Sequence, residues 1–439
     1  MPKAQHAGAR TSSLPRIPGL AWRVFALLFA LMVVDYIDRQ VVASAFPDLK
    51  REWLVSDRQL GALASIVPIT IAILTVPLSM VADRFGQVRC MALMALVWSG
   101  ATIACGLAQD YGQLLALRGV IGVGEAAYGA VGAAVLATLF PARVRSTVIG
   151  GFLAATLAGS VLGTLVGGFV AEHWGWRASF GVAGAPGIVL ALLLLPLVRL
   201  DRAPRDAAPG GSIAWPGFRS VVTDLLRSKT LVLTCIGAGF QLVVVSTLFA
   251  WLASYLVHYY ALTVSEAGAK ASVVVLASGV GTVAWGVACD WLALRRPGAR
   301  LYAPAAAAVA TTLFMWAAFL QPPGEAQYAL IVIGALMMTG TVGPAATVVA
   351  EIAPPAGRAT ALAILALHQN LFGLASGPLI AGVLSDGYGM PFALLVIPVF
   401  CVPAAAAFCL AARTYRSEAG GRPAGVTATA ATRPACSTP

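Results

Sequence analysis

The sequence predicts an all-α integral membrane protein whose twelve transmembrane helices form two pseudosymmetric six-helix bundles. Three observations carry that prediction: a composition too apolar for a water-soluble coat, a series of apolar runs long enough to cross a bilayer, and motifs that recur halfway along the chain. Of the 439 residues, 59% are hydrophobic and 11% are charged, and the mean hydropathy is +0.84. A domain folded in water carries about twice that share of charge.

Crossing about 30 Å of hydrocarbon takes roughly 20 apolar residues in a helix. Runs of that kind lie at 23–46, 59–82, 90–108, 112–140, 147–171, 178–197, 230–257, 267–289, 301–320, 327–350, 359–384 and 391–412. The polar, Pro- and Gly-rich connection at 198–229 divides them six and six. The expected organisation is therefore a tail at 1–22, an N-terminal bundle at 23–197, a linker at 198–229, a C-terminal bundle at 230–412 and a tail at 413–439. The first 22 residues contain Lys3, Arg10 and Arg16 but no short apolar core ending in a small-residue cleavage site. The first span is thus expected to be retained.

The net charge of +11 forms no long basic block, which argues against nucleic acid as a partner. Connections after odd-numbered spans sum to −3, whereas the termini and the connections after even-numbered spans sum to +15. By the positive-inside rule both termini are expected in the cytoplasm, in a multi-pass protein of the cell membrane. The seven cysteines include no Cys-x-x-Cys pair, and six lie in or beside spans. They read as small packing residues, with no metal site and no cofactor expected.

The two halves match in register. Asp83 in "SMVADRFGQVR" corresponds to Asp290 in "GVACDWLALRR", an offset of 207. Pro141 and Arg145 in "PARVRST" correspond to Pro354 and Arg358 in "PPAGRAT", an offset of 213. Gly159-x3-Gly163-Thr164-x2-Gly167-Gly168 corresponds to Gly373-x3-Gly377-Pro378-x2-Ala381-Gly382, an offset of 214. Small residues one turn apart let helix backbones approach closely in lipid, where the hydrophobic effect does not drive association.

On these motifs the chain resembles the major facilitator superfamily over nearly all its spans. Asp83-Arg84-Phe85-Gly86 with Arg89 resembles that family's loop between helices 2 and 3, with Ser79 in place of the usual Gly and Gln87 in place of a basic residue. Arg118-x3-Gly122-x-Gly124 resembles its helix 4 motif, and the series from Gly150 to Gly168 its helix 5 motif, with Thr164 where that motif has Pro. Within the superfamily, Asp35-Tyr36-Ile37-Asp38-Arg39 and "GVGEAAYGA" from Gly122 to Ala130 resemble the spinster-type lipid transporters, Asp35 replacing the usual Asn. The resemblance implies the major facilitator fold and a cytoplasmic gate made by Asp83, Arg84, Gly86 and Arg89. It also implies a lysolipid- or sphingolipid-like cargo.

Charges inside a span are costly, about 2.5–3.5 kcal/mol each on insertion scales, and mark bundle interiors and ion paths. Five lie well inside the expected spans: Asp35, Asp38 and Arg39 in the first, Arg118 and Glu125 in the fourth. Antiparallel helices rising 1.5 Å per residue bring Asp38 and Arg118 to similar depth, with Glu125 about 10 Å deeper, near Asp35. Arg39 can reach toward either acid. Three carboxylates face two guanidiniums, which leaves one acid underpaired, as a proton carrier requires.

The C-terminal half offers neutral polar groups instead. Gln241, His368, Gln369 and Asn370, with Tyr36 from the first span, are the candidate substrate contacts on a central cavity. The expected function is proton-coupled secondary transport by alternating access of a hydrophobic or amphiphilic small molecule by a monomer, with substrate, proton and membrane lipids as its partners. Drug efflux, or uptake of an organic anion meeting Arg39 and Arg118, is the alternative. No paired intramembrane metal ligands, nucleophile motif or phosphate loop points to an enzyme. The topology predicts that an impermeant thiol reagent applied to intact cells leaves Cys436 unlabelled when it is the only cysteine retained, and that labelling follows permeabilisation.

Overall fold

A computed structural model of the chain describes residues 19–202, 223, 225–295, 299–353 and 357–420. Within them are twelve helices long and apolar enough to cross a membrane. In chain order these are α1 Gly19–Trp53, α2 Asp57–Phe85, α3 Gln87–Cys105, α4 Tyr111–Leu139, α5 Arg143–Trp174 and α6 Trp176–Val198, then α7 Lys229–Tyr259, α8 Val264–Ala293, α9 Arg300–Phe319, α10 Glu325–Ile352, α11 Thr360–Tyr388 and α12 Met390–Tyr415. Many overrun the apolar runs, because hydropathy marks only the stretch without charge while backbone hydrogen bonding continues into the polar ends. Most of the 198–229 linker, the tails before 19 and after 420 with Cys436, and Pro354 and Arg296 lie outside the described residues.

The helix ends repeat as the motifs do. Helix α2 opens on a capping box, in which the Gln59 N–H donates to Ser56 Oγ at 3.3 Å and the Ser56 N–H to Gln59 Oε1 at 2.9 Å. Helix α8 opens the same way with Thr263 and Glu266, at 3.3 and 3.0 Å. These boxes use N–H groups that a helix start cannot satisfy internally. The α5–α6 and α11–α12 connections are single glycines at positive φ, Gly175 at +82° and Gly389 at +85°. They too are 214 residues apart.

Helices α4 and α10 each break once. The pieces are Tyr111–Glu125 with Tyr128–Leu139, and Glu325–Met338 with Val342–Ile352. Carbonyls freed at a break inside a membrane need other donors. Thr75 Oγ1 donates to the Ala126 oxygen at 2.7 Å, and Gln241 Nε2 to the Met338 oxygen at 2.9 Å.

Close helix contacts run through the two glycine series. A Cβ added at Gly163 of α5 would lie 2.7 Å from Ile37 Cα and 3.0 Å from Gln40 Cβ of α1. At Gly373 of α11 it would lie 2.6 Å from Leu242 Cβ of α7. These contacts hold α1 on α5 and α7 on α11 within their halves. Between the halves, α5 meets α8, α2 meets α11 and α1 meets α7.

Those seams are tight at the end where α2 begins, here termed the Asp57 end. A Cβ at Gly168 would sit 2.8 Å from the Val264 oxygen and 3.2 Å from Gly268 Cα, and one at Gly61 would sit 3.0 Å from Leu379 Cα. Phe46 of α1 packs on Trp251 of α7 with ring centroids 5.1 Å apart. Toward the opposite end, where Asp83 lies, Gly150 of α5 and Gly286 of α8 have nothing within 4 Å of an added Cβ. On α2, Met80 and Phe85 are 51% and 60% exposed. The halves are closed at the Asp57 end and part toward the Asp83 end.

Overpacking a close helix contact costs about 1–3 kcal/mol. Gly163→Val is expected to lower the melting temperature in detergent by that equivalent, because Ile37 and Gln40 leave no room. Gly181→Ala in α6, where an added Cβ meets nothing within 4 Å, should stay within about 0.5 kcal/mol of the parent.

Candidate functional site: a buried charge cluster behind a central cavity

The five charged residues of α1 and α4 form one cluster. Arg39 Nε lies 3.5 Å from Asp35 Oδ1, one turn earlier on α1, and Arg39 Nη2 lies 2.9 Å from Glu125 Oε2 on α4. Arg118 Nη1 lies 3.7 Å from Asp38 Oδ2, and its Nε donates to the Leu63 carbonyl at 3.5 Å. Asp35, Asp38, Arg118 and Glu125 are only 1–3% exposed. Helical spacing accounts for the pairing: Asp35 and Arg39 are four apart, and Glu125 sits on the last turn before the α4 break.

Contact between these charges is not matched by hydrogen bonding. Among the described residues, no well-aligned hydrogen bond reaches either oxygen of Asp38 or of Glu125, or Asp35 Oδ1, although Arg39 Nη2 lies at hydrogen-bond distance from Glu125 Oε2. Nearby in the same half, Trp98 Nε1 and Ser99 Oγ are also buried without a partner. A buried carboxylate whose lone pairs are idle is unfavourable unless it takes up a proton or gains a donor.

A cavity of about 260 Å³ lies between the halves. Its polar lining is Tyr36, Arg39 and Gln40 of α1, Arg118 of α4, Ser160 of α5 and Ser246 of α7, and its apolar wall includes Leu242, Val245 and Phe249 of α7 and Leu374 and Pro378 of α11. Arg39 stacks over Tyr36, with Cζ 4.9 Å from the ring centroid. Arg39, with 22% of its side chain exposed, and the nearly buried Arg118 line the cavity, whereas Asp35, Asp38 and Glu125 are not among its lining residues.

Of the expected substrate contacts, Tyr36 lines this cavity, and Gln241, His368, Gln369 and Asn370 are not among its lining residues. Gln241 is fully buried inside the C-terminal half, where its amide donates to the Met338 oxygen and, at 3.2 Å, to Thr311 Oγ1. His368 stacks on Phe372 at 4.5 Å, and Asn370 Nδ2 donates back to the Ala366 oxygen at 2.9 Å. Helix α11 widens to a π turn over Gln369–Leu374. Gln40 and Ser160 are cavity residues that sequence reasoning missed. Each lies one residue from a motif position, Arg39 or Gly159, and that adjacency was the available signal.

The loop residues lie at the far end. Gly86 turns the chain at φ +106°, a conformation that disfavours a side chain. Asp83 Oδ1 accepts from the Gln87 amide at 2.9 Å, and Arg84 lies over the Phe85 ring at 5.8 Å. Arg89 follows in the first turn of α3. In the other half, Asp290 lies 3.9 Å from Arg300, which also pairs with Glu351.

Twelve membrane helices in two repeated halves, a central cavity between them and, among the described residues, a closure at the Asp57 end fit a membrane transporter. A family model described as Major Facilitator Superfamily matches residues 28–372. The chain belongs to that superfamily and is a transporter, not an enzyme. It is 26% identical over 379 residues to the sphingosine-1-phosphate transporter SPNS2 of Mus musculus, covering 82% of this chain and 69% of that protein. It is 25% identical over 275 residues to the hexuronate transporter of Bacillus subtilis (strain 168), covering 61% and 64%. In fold it resembles a crystal structure of a bacterial homolog to the human lysosomal transporter Spinster, in an inward-facing and unoccupied conformation, with TM-score 0.81, 24% identity and coverage of 91% and 98%.

Removing one member of a buried ion pair costs about 3–5 kcal/mol, because the other charge is left uncompensated. Arg118→Ala is expected to lower thermal stability by that equivalent. Adding Asp38→Asn should restore most of the loss, and a double-mutant cycle of melting temperatures in detergent measures it.

Proposed function

We propose that the chain is a monomeric proton-coupled transporter of the cell membrane that moves an anionic amphiphile of lysolipid type by alternating access. The observation that carries this reading is the double position of Arg39 and Arg118, each lining the cavity and each paired with buried carboxylate. An anionic headgroup in the cavity competes with Asp35, Asp38 and Glu125 for the same two guanidiniums. When the substrate holds a guanidinium, the acid paired with it loses its counter-ion and binds a proton; when the proton leaves, the acid reclaims the guanidinium and frees the anion. Asp38 and Glu125, whose oxygens accept no well-aligned hydrogen bond, are the acids best suited to that exchange. Because they interact through shared partners, titration belongs to the cluster as a unit.

The apolar wall of Leu242, Val245 and Phe249 suits an acyl or sphingoid chain. A volume of about 260 Å³ holds a headgroup and the first carbons, with the tail running on toward the open end. Both termini are assigned to the cytoplasm, so the Asp57 end faces outward and the cavity opens inward. In this reading Asp83, Arg84, Gly86 and Arg89 form the inner gate of the opposite conformation, biasing the rocking equilibrium rather than touching cargo.

A second reading, a small organic anion, is favoured by the modest cavity volume and the two guanidiniums, and the hexuronate relative is consistent with it. Drug efflux fits less well, since a neutral or cationic drug would leave both guanidiniums unused. Competition binding with lysolipid and carboxylate panels separates these substrates.

In proteoliposomes carrying a pH gradient, Asp38→Asn and Glu125→Gln are each expected to abolish concentrative uptake, with at least one retaining substrate binding. Asp35→Asn should be milder. If both acid variants still concentrate substrate, the cluster is structural and the proton reading fails.

A further inference from the structure

Among the described residues, hydrogen bonds cross between the halves at the Asp57 end, and they come in a related pair. The Asp386 carboxylate, at the end of α11, accepts the Asp57 N–H at 2.8 Å and the Arg58 N–H at 2.9 Å at the start of α2. The Glu172 carboxylate, at the end of α5, accepts the Ser265 N–H at 2.6 Å at the start of α8. Glu172 and Asp386 are 214 residues apart, the offset of the α5 and α11 glycines, and Arg58 and Ser265 are 207 apart, the offset of Asp83 and Asp290. One contact is thus made twice, each time by an acid of one half on the second residue of a helix of the other.

The surroundings repeat as well. In both helices the capping box already uses the N–H of the third residue, Gln59 or Glu266, which leaves earlier donors free for the partner half. In both, a glycine one turn before the acid admits the helix start: a Cβ at Gly168 would sit 2.8 Å from the Val264 oxygen, and one at Gly382 would sit 2.8 Å from the Asp57 carbonyl carbon. The α11–α2 contact is the more heavily braced. Ser385 Oγ donates to Asp57 Oδ2 at 2.5 Å, and Lys50 Nζ lies 2.6 Å from Asp57 Oδ1.

We propose that Glu172 and Asp386 are positioning residues of the transport cycle, two pseudosymmetric latches that hold the Asp57 end shut by capping α8 and α2 across the interface between the halves. The inference rests on the alternating-access reading and on no substrate assignment. When the halves rock, both caps break together, because one rigid-body rotation parts α11 from α2 and α5 from α8. A carboxylate at a solvent-accessible helix start shifts an equilibrium by about 2- to 5-fold. Two such caps bias the conformation without locking it, as a cycling transporter requires.

The test is a spin-label distance measurement across the Asp57 end, with labels at Gln109→Cys and Pro322→Cys in the full chain freed of its native cysteines. Glu172→Gln and Asp386→Asn are each expected to raise the open-end population about 2- to 5-fold relative to the parent, Asp386→Asn more, and the double variant by about the product. Ser265→Pro and Arg58→Pro keep the acids and remove a donor at a position in the first helical turn that tolerates proline. They should shift the same distances in the same direction, which keeps the test usable if an acid variant folds poorly. Gly382→Trp serves as a wedge against the Asp57 backbone. If the wedge opens the end and neither the acid nor the proline variants do, the latch is overturned. If the wedge also leaves the distances unchanged, the halves do not rock and the alternating-access reading falls with it.

Discussion

A chain in hydrocarbon must satisfy its backbone polar groups from within, and the architecture follows from that constraint. It makes every spanning segment a helix, and it explains what happens where helices stop or break. The capping boxes at Ser56 and Thr263, the Thr75 hydroxyl on the Ala126 carbonyl and the Gln241 amide on the Met338 carbonyl each serve backbone groups that a helix could not. Packing in lipid then falls to shape, and the glycines of α5 and α11 supply it by bringing α1 and α7 close.

On this repeated scaffold the chemistry is one-sided. Gly163 and Gly377 are equivalent, and they abut Ile37 with Gln40 and Val243 with Ser246 respectively. That relates α1 to α7 by an offset of 206 and makes Gln241 the counterpart of Asp35. Glu125 corresponds to Met338 through the α4–α10 offset of 213. Where the N-terminal half joins Asp35 to Glu125 through Arg39, the C-terminal half joins Gln241 to the Met338 backbone directly. A neutral amide serves as a static fastener; the charged version can change its protonation state and its partner.

The same division separates the two faces of the cavity. Its N-terminal wall carries two arginines already paired with acids, and its C-terminal wall presents mostly hydrocarbon, with Ser246 beside it. Closure at the Asp57 end comes from glycine-lined seams and paired helix caps, while the opposite ends of those helices expose Met80 and Phe85. The proposed proton coupling rests on this placement of the charge cluster beside the cavity.

Much of this was legible in the sequence, because hydropathy, charge bias and motif spacing are local quantities. They determined twelve spans, the duplication and its offsets, and the concentration of charge in α1 and α4. Helical rise alone brought Asp38 toward Arg118 and Glu125 toward Asp35. What the sequence could not determine was which face of each helix meets which neighbour. Gln241, His368, Gln369 and Asn370 are polar residues within spans, and polarity does not distinguish a residue that fastens a broken helix from one that lines a cavity. Tertiary structure decided that for Gln241, by setting its amide against the Met338 carbonyl where α10 breaks. Glu172 and Asp386 sit where spans end and charge is ordinary, so only tertiary structure, by setting each beside the helix start of the other half, gave them a role.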